Sequence, residues 1–411
     1  MKILVCLISR QHMPNLMSIH AIKPDRIALM VSKKMITECR DEHLLYALGK
    51  GGLNYRCKKD LIYVEDENSV TSATLALRTY LNDTLERTPG AEIIVNITGG
   101  TKPLSIGAYI ESEKRGLELL YISESDQTKV LDMKDGYKPL THKITIAEFL
   151  AGYGYKVFNE NEIAQAEEQA QQTADIAAIL ASKIDDKILW ANLGKLRKIK
   201  KDKGDNEILL TKESEIIIED KRVRELMASQ FGLSSEGSCL IGRLNGRYVS
   251  FLTGKWLEVL IWKLLKPLVG NVIWDLHLDC KFGTNDLKGQ ITDNEWDVIF
   301  MKDQSLCIIE CKTGDLWQYS SSGSDLIYEI AGIKSQLQAL RVKTYLATTS
   351  DKVKDEKGTI KEDLLIRSKV YDCDIIPAWE IQNLANLYLS KDKSLSGNVF
   401  KTFFKNKARS S

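Results

Sequence analysis

The stretch NEWDVIFMKDQSLCIIECKTGD, residues 294–315, decides how the chain is read. Two apolar runs, WDVIFM and LCIIEC, flank the polar KDQS. Branched and aromatic residues in runs of this length form strands. The short interruption joins them as a hairpin with its turn near residues 302–305. Yet Asp297, Glu310 and Lys312 stand inside these runs, where an unpaired charge is costly. Side chains alternate along a strand, so Glu310 and Lys312 share a face and Cys311 points the other way. The hairpin brings Asp297 beside Glu310. Hard divalent cations take oxygen ligands. Asp297, Glu310 and the backbone carbonyl of Cys311 would supply three of them to Mg²⁺ or Mn²⁺. Lys312 would then orient and deprotonate an attacking water and offset charge on a scissile phosphate.

Around the hairpin lies a complete α/β pattern. An apolar helix spans 251–265 and a strand spans 271–282; the hairpin follows. Beyond it come a helix over 325–341, a strand over 342–350, a helix over 359–370, the short strand CDIIPAW and a helix over 380–389. The spacing Asp-x12-Glu-x-Lys between apolar runs resembles the PD-(D/E)xK nuclease superfamily. The resemblance implies a restriction-endonuclease-like domain and an acid on the preceding helix. In GKWLEVLIWKLL that acid is Glu258. It also implies a polar residue from a later helix, for which Lys334 and Gln338 are candidates. Glu295 and Asp315 read as solvated or supporting acids. Trp296 stands where the literal motif has proline, a departure common in that superfamily.

The first 150 residues alternate differently. KILVCLIS, DRIALMVS, DLIYVED, EIIVNIT and LELLYIS read as strands, with helices over 35–50, 69–85 and 102–115 between them. Such alternation implies βαβ units and a parallel sheet, with ligands at the carboxyl ends of its strands. A closing antiparallel pair is expected over 127–133 and 141–145. NITGGTKPLSIGAYIE then places Thr98, Gly99, Gly100, Thr101 and Lys102 where a strand hands over to a helix N-terminus. Glycines let backbone N–H groups approach a ligand, the helix start favours anions, and Lys102 adds a charge. The run is neither a Walker A loop nor a GxGxxG fingerprint. Ser9, Arg10 and Gln11, at the end of the first strand, would line the same crevice. A phosphate-bearing ligand is the expected occupant.

A Rossmann-like domain with this TGGTK loop, joined to a PD-(D/E)xK domain, resembles the CARF-domain nucleases of type III CRISPR systems. The resemblance implies a CARF sensor over 1–150, a helical connector over 151–250 and a nuclease over 251–411. It implies a homodimer that binds a cyclic oligoadenylate across its two-fold axis, cyclic tetra-adenylate in the closest subgroup. It implies cleavage of single-stranded or double-stranded DNA, RNA or both with Mn²⁺ or Mg²⁺. Two other readings remain open. One is a restriction-like or repair nuclease controlled by a different nucleotide. The other is a non-enzymatic, ligand-gated DNA-binding regulator that uses the connector as a winged helix.

Composition sets the outer limits. With 411 residues, 44% hydrophobic and 27% charged, the chain has material for two or three domains. A net charge of +1 excludes a uniformly basic nucleic-acid coat but permits a local basic channel. The apolar start MKILVCLIS ends too early for a membrane span and lacks a cleavage site, so a cytoplasmic protein with no membrane partner is expected. Eight cysteines without a CxxC pair read as reduced, which makes zinc an unexpected cofactor. The connector begins with an Ala-, Gln- and Glu-rich helix and carries a basic run, Lys195, Arg197, Lys198, Lys200, Lys201 and Lys203. That run reads as a solvated helix end or as a phosphate-backbone contact.

Overall fold

The structure is a computed structural model. It describes residues 1–122, 129–132, 136–203, 207–214, 216–284, 294–313, 327–328, 331–332, 337 and 341–404. The candidates Lys334, Gln338 and Asp315, and most of the helix expected over 325–341, lie outside these residues.

The N-terminal half is built on β1 (Lys2–Leu7), β2 (Arg26–Ser32), β3 (Lys59–Val64), β4 (Glu92–Asn96), β5 (Glu118–Tyr121), β6 (Lys129–Asp132) and β7 (Gly136–Pro139). They form one sheet in the order β3-β2-β1-β4-β5-β6-β7. The first five strands are parallel, and β6 and β7 close the edge antiparallel. Strands β1, β2 and β4 are buried almost throughout, as parallel strands covered on both faces must be. Strand order reverses between β1 and β4. That is the switch point at which a doubly wound sheet opens a crevice beyond its strand ends. Residues 9–11 follow β1 and residues 98–102 follow β4, so the two sequence-selected segments meet at this crevice.

The closing pair differs from expectation. Residues 136–139 form the last strand, whereas 141–145 form none. The backbone of 142–146 is instead bonded by side chains of the C-terminal half: Gln304 Nε2 donates to the His142 carbonyl at 2.8 Å, and the Ile144 N–H donates to Gln304 Oε1 at 3.0 Å. Trp274 Nε1 donates to the Ile144 carbonyl at 2.8 Å, and the Ile146 N–H donates to Asp275 Oδ2.

Strand β8 (Lys156–Val157) follows, then the helices Glu160–Ser182 and Lys187–Lys203. The basic run forms the later turns of the second helix. A small antiparallel sheet, β9 (Ile208–Leu210), β10 (Ser234–Glu236) and β11 (Cys239–Leu244), encloses the helix Lys221–Phe231. The third sheet contains β12 (Trp274–Gly283), β13 (Asn294–Lys302), β14 (Ser305–Lys312), β15 (Val342–Thr348) and β16 (Cys373–Ile376), in the order β16-β15-β14-β13-β12-β8. Strand β8 thus joins the two halves by pairing with the edge of β12.

This third sheet is covered on both faces. One core gathers Leu278, Val298, Phe300 and Ile309 with the helices Glu160–Ser182 and Trp256–Leu265. The other gathers Cys280, Phe282, Trp296, Ile299 and Ile308 with Leu16, Leu44 and Phe149 of the N-terminal half. The N-terminal half therefore packs directly on the back of the C-terminal sheet. Among the described residues, no helix is long and apolar enough to cross a membrane.

Candidate active site and sensor crevice

The hairpin of β13 and β14 turns through Asp303 and Gln304, both left-handed at φ +49° and +56°. Two left-handed residues match the right-handed twist of the strands they join. The ladder pairs Lys302 with Ser305 and ends at Val298 with Ile309, so the next step sets Asp297 opposite Glu310. The Cys311 N–H donates to Asp297 Oδ2 at 2.6 Å, and Lys312 Nζ donates to Glu310 Oε1 at 2.5 Å. The three charges of the opening stretch are thus gathered at one end of the sheet.

Strand alternation breaks beside them. In β12, Leu278 lies in one core and Cys280 in the other; in β13, Val298 and Trp296 divide the same way. Between them sits Asp279, left-handed at φ +52° and flanked by the pairs Leu278–Val298 and Cys280–Trp296. This local reversal places Asp279 across from Asp297. Glu258 completes the group from the helix Trp256–Leu265, which is entered through a π-helical turn, Phe251–Lys255. Lys255 lies over the acids, with Nζ 2.9 Å from Asp279, 3.3 Å from Glu295 and 3.8 Å from Glu258.

Electrostatics records the crowding. Burial, then the charge of Glu310, raises the Asp297 carboxyl to about 7. Burial, then the charges of Asp297 and Asp279, pushes Glu258 well above the usual range. Asp279 Oδ1 is buried without a hydrogen-bond partner among the described residues. An all-oxygen set that is crowded, and partly unpaired, fits a hard divalent cation, which would relieve both the repulsion and the orphaned oxygen. Asp279 and Lys255 were not singled out from the sequence. The signal for Asp279 was present, since Asp275, His277, Asp279 and Lys281 alternate with apolar residues along WDLHLDCKF. A cleft of about 430 Å³ opens beside Lys255, Glu258, Asp279 and Glu295.

At the sensor crevice, Thr101 caps the helix Lys102–Lys114 by accepting from the Leu104 N–H, and its hydroxyl donates to the Glu67 carbonyl at 2.5 Å. The Thr98 hydroxyl donates to Asn96 Oδ1 at 2.7 Å and accepts from the Ile122 N–H at 2.8 Å. Both hydroxyls therefore hold the loop in place. A Cβ on Gly99 would lie 2.1 Å from the Leu7 carbonyl, so only glycine permits the loop to touch β1. Gly100 is left-handed at φ +78°. Lys102 is exposed. Arg10 makes a two-point contact with Glu38, at 2.9 and 2.5 Å. Arg10, then Arg40, holds the Glu38 carboxyl down to about 2. Ser9 Oγ hydrogen-bonds the backbone of Gln11 at 3.2 Å, and Tyr153 donates to Gln11 Oε1 at 3.1 Å. Asn96, fully buried, ties this floor together by donating to Asn15 Oδ1 at 3.0 Å; sequence reading did not find it.

With this geometry in hand, the comparisons are informative. Residues 3–149 match the family described as the Card1 CARF domain, and residues 246–391 match the Card1-like endonuclease domain. Protein VC1899 from Vibrio cholerae shares the fold at 18% identity, with a TM-score of 0.75 over 96% of this chain and 99% of that one. Can2 from Sulfobacillus thermosulfidooxidans, solved in complex with cyclic tetra-adenylate, shares it at 18% identity and a TM-score of 0.67, over 95% and 99%. A type III CRISPR defence DNA nuclease activated by cyclic oligoadenylate aligns at 14% identity and a TM-score of 0.50, over 90% of this chain and 51% of that one. No curated protein matches the sequence. The structural likenesses speak to fold, whereas the two family matches cover both the sensor crevice and the acid cluster, and by them the chain belongs to the Card1-like CARF-domain endonucleases.

Proposed function

We propose that this chain is a cytoplasmic, metal-dependent endonuclease of type III CRISPR antiviral defence, switched on when a homodimer of its sensor halves binds cyclic tetra-adenylate. The observation that carries the cutting half of this reading is the set of Asp297, Glu310, Lys312 and Glu258 at one sheet end. Asp297, Glu310 and the Cys311 carbonyl would hold Mn²⁺ or Mg²⁺, with Glu258 beside them. When bound, the cation supplies charge neutralisation at the phosphate and eases loss of a proton from water. The Cys311 N–H fixes one oxygen of Asp297 and so sets the direction of the other. Lys312 stands beside Glu310, where it would hold the attacking water in line and offset charge on the phosphate oxygens.

The sensor reading rests on the TGGTK loop at the switch point and on the likeness to a protein solved with cyclic tetra-adenylate. Backbone N–H groups at the start of the helix Lys102–Lys114, with exposed Lys102, would receive its phosphates. Ser9 and Gln11 would line the other wall. A phosphate would compete with Glu38 for Arg10. A ring of four phosphates has even symmetry, so two copies of one loop can grip it across a two-fold axis.

The test is cleavage of single- and double-stranded DNA and RNA, with and without Mn²⁺ and cyclic tetra-adenylate. Cleavage is expected only with both. Glu310→Ala abolishes it while activator binding survives. Lys102→Ala raises the activator concentration required by about tenfold, the loss of one charge-assisted contact. Full cleavage by the Glu310→Ala protein would overturn the site.

A further inference from the structure

His20, His142 and Glu148 form a cluster that neither the sensor crevice nor the acid cluster uses. His20 stands in the last turn of the helix Met13–Ile22. Glu148 stands in the first turn of the helix Ile146–Gly152, which Thr145 caps by accepting from the Glu148 N–H at 3.2 Å. His142 lies on the irregular segment before that helix, where Gln304 bonds its carbonyl at 2.8 Å. His20 Nε2 is 2.5 Å from Glu148 Oε1, and His142 Nε2 is 2.9 Å from Glu148 Oε2. The two imidazoles stack, with centroids 3.5 Å apart and planes 7° from parallel, so both turn Nε2 to one carboxylate.

The cluster is closed on one side and open on the other. The side chains of His20 and Glu148 are 2% and 0% exposed, whereas that of His142 is 27% exposed. Burial alone would raise the Glu148 carboxyl, yet the bonds from His142, then His20, hold it below its usual value. It is therefore ionised at neutral pH, as a metal ligand must be. Gly51, just past the helix Arg40–Lys50, closes the buried side. A Cβ there would lie 2.6 Å from Glu148 Oε1 and 2.8 Å from His20 Nε2, so only glycine passes without displacing these atoms. One nitrogen of each histidine and one oxygen of Glu148 all lie within 4.8 Å of one another. A tetrahedral ion with bonds of about 2.0–2.2 Å holds its ligands roughly 3.4 Å apart, so adjustments of about 1 Å bring this set to bonding distance.

We propose that His20, His142 and Glu148 form a Zn²⁺ site, with water in the fourth position on the side that His142 leaves open. Two imidazoles and a carboxylate are a donor set that zinc takes. The expectation against zinc came from the cysteines, and this set uses none. Imidazole nitrogen selects zinc over Mn²⁺ and Mg²⁺, whereas the all-oxygen acid cluster suits the harder ions. The chain thus sorts two classes of cation between two sites. The zinc site is structural. It joins the helix Met13–Ile22 to segment 142–148, whose backbone is bonded in turn by Gln304 of the hairpin and by Trp274 and Asp275 of β12.

The test uses untagged, full-length Glu310→Ala protein as the parent, so that the acid cluster lacks one of its ligands. The parent is stripped with EDTA, freed of chelator and titrated with Zn²⁺ against a chromophoric competitor. One Zn²⁺ per chain is expected, with a Kd of about 1 μM or tighter. Adding His142→Ala weakens binding by about a hundredfold or more, since even the partners of a ligand are worth about ten- to a hundredfold. His142→Gln keeps a hydrogen-bond donor for Glu148 but loses the imidazole, and it weakens binding as much. Co²⁺ gives the parent the visible absorption of a four-coordinate ion, and the His142→Gln protein lacks it. Zn²⁺ raises the thermal unfolding midpoint of the parent and leaves that of His142→Gln unchanged. A parent that holds no zinc, or equal affinity in His142→Gln, overturns the site and leaves a hydrogen-bonded clamp in its place. If His142→Ala fails to fold, His142→Gln decides alone.

Discussion

At the scale of the residue, the acid cluster is gathered at a cost in stability. Asp297 titrates at about 7 because burial and Glu310 oppose its charge. A carboxyl raised in the folded state binds more protons there than in the unfolded chain, so folding loses stability as pH rises from about 4 through 7. Asp297→Asn removes that loss and keeps an acceptor for the Cys311 N–H. In EDTA at pH 8, Asp297→Asn is expected to be more stable than wild type by about 1 kcal/mol or more, read from thermal unfolding. Added Mn²⁺ raises the wild-type midpoint and leaves the variant's unchanged. A variant less stable than wild type in EDTA would show that the carboxylate is held by favourable contacts instead. Asp297, Glu310, Lys312 and Glu258 were legible because charge inside apolar runs is conspicuous. Asp279 was not, since an alternating strand with polar residues on one face equally describes a solvated edge. Its place depends on the left-handed turn at φ +52° and on the register that opposes it to Asp297, and both are tertiary facts.

At the scale of the element, the hairpin of β13 and β14 is tied to the N-terminal half at its far end. Gln304, in the turn and 5% exposed, bonds both the His142 carbonyl and the Ile144 N–H. Trp274 and Asp275 on β12 take the next two backbone groups. Segment 142–146 leads into the helix Ile146–Gly152, where buried Glu148 binds His20 at 2.5 Å and His142 at 2.9 Å. The helices of the N-terminal half are thus linked to the hairpin through a chain of hydrogen bonds. Gln304→Ala would leave the buried Ile144 N–H and the half-buried His142 carbonyl unpaired, at a cost of about 1–3 kcal/mol. Its expected signature is selective: cyclic tetra-adenylate still binds, but the ratio of activated to basal cleavage falls severalfold. An unchanged ratio would remove this turn from the coupling. Sequence marked 141–145 as a strand because its residues alternate acceptably. Nothing local shows that its backbone partners are side chains from more than a hundred residues away.

At the scale of the whole molecule, the division into sensor, connector and nuclease is less real in packing than in composition. A strand that is apolar on both faces needs two covers, and sequence cannot say which segments provide them. Here Glu160–Ser182, assigned by composition to a connector, covers one face, and the sensor's own helices cover the other. Trp296 is fully buried in the shared core, its ring 3.8 Å from that of Phe282. Interiors are close-packed, so two such layers shift as discrete alternatives and do not deform smoothly. A ligand can bias that choice only through unequal affinity for the two arrangements. The packing also fixes how the chain unfolds. Trp296→Ala should cost about 3–5 kcal/mol, the range for deleting a large core aromatic. Because the core is shared, the cost should appear on both sides of it. Hydrogen exchange is expected to accelerate together in β1 of the sensor and β14 of the nuclease, with one unfolding transition for both. Loss of protection confined to the nuclease sheet would mean that the sensor stands alone, and that its signal crosses only through the segment 142–146.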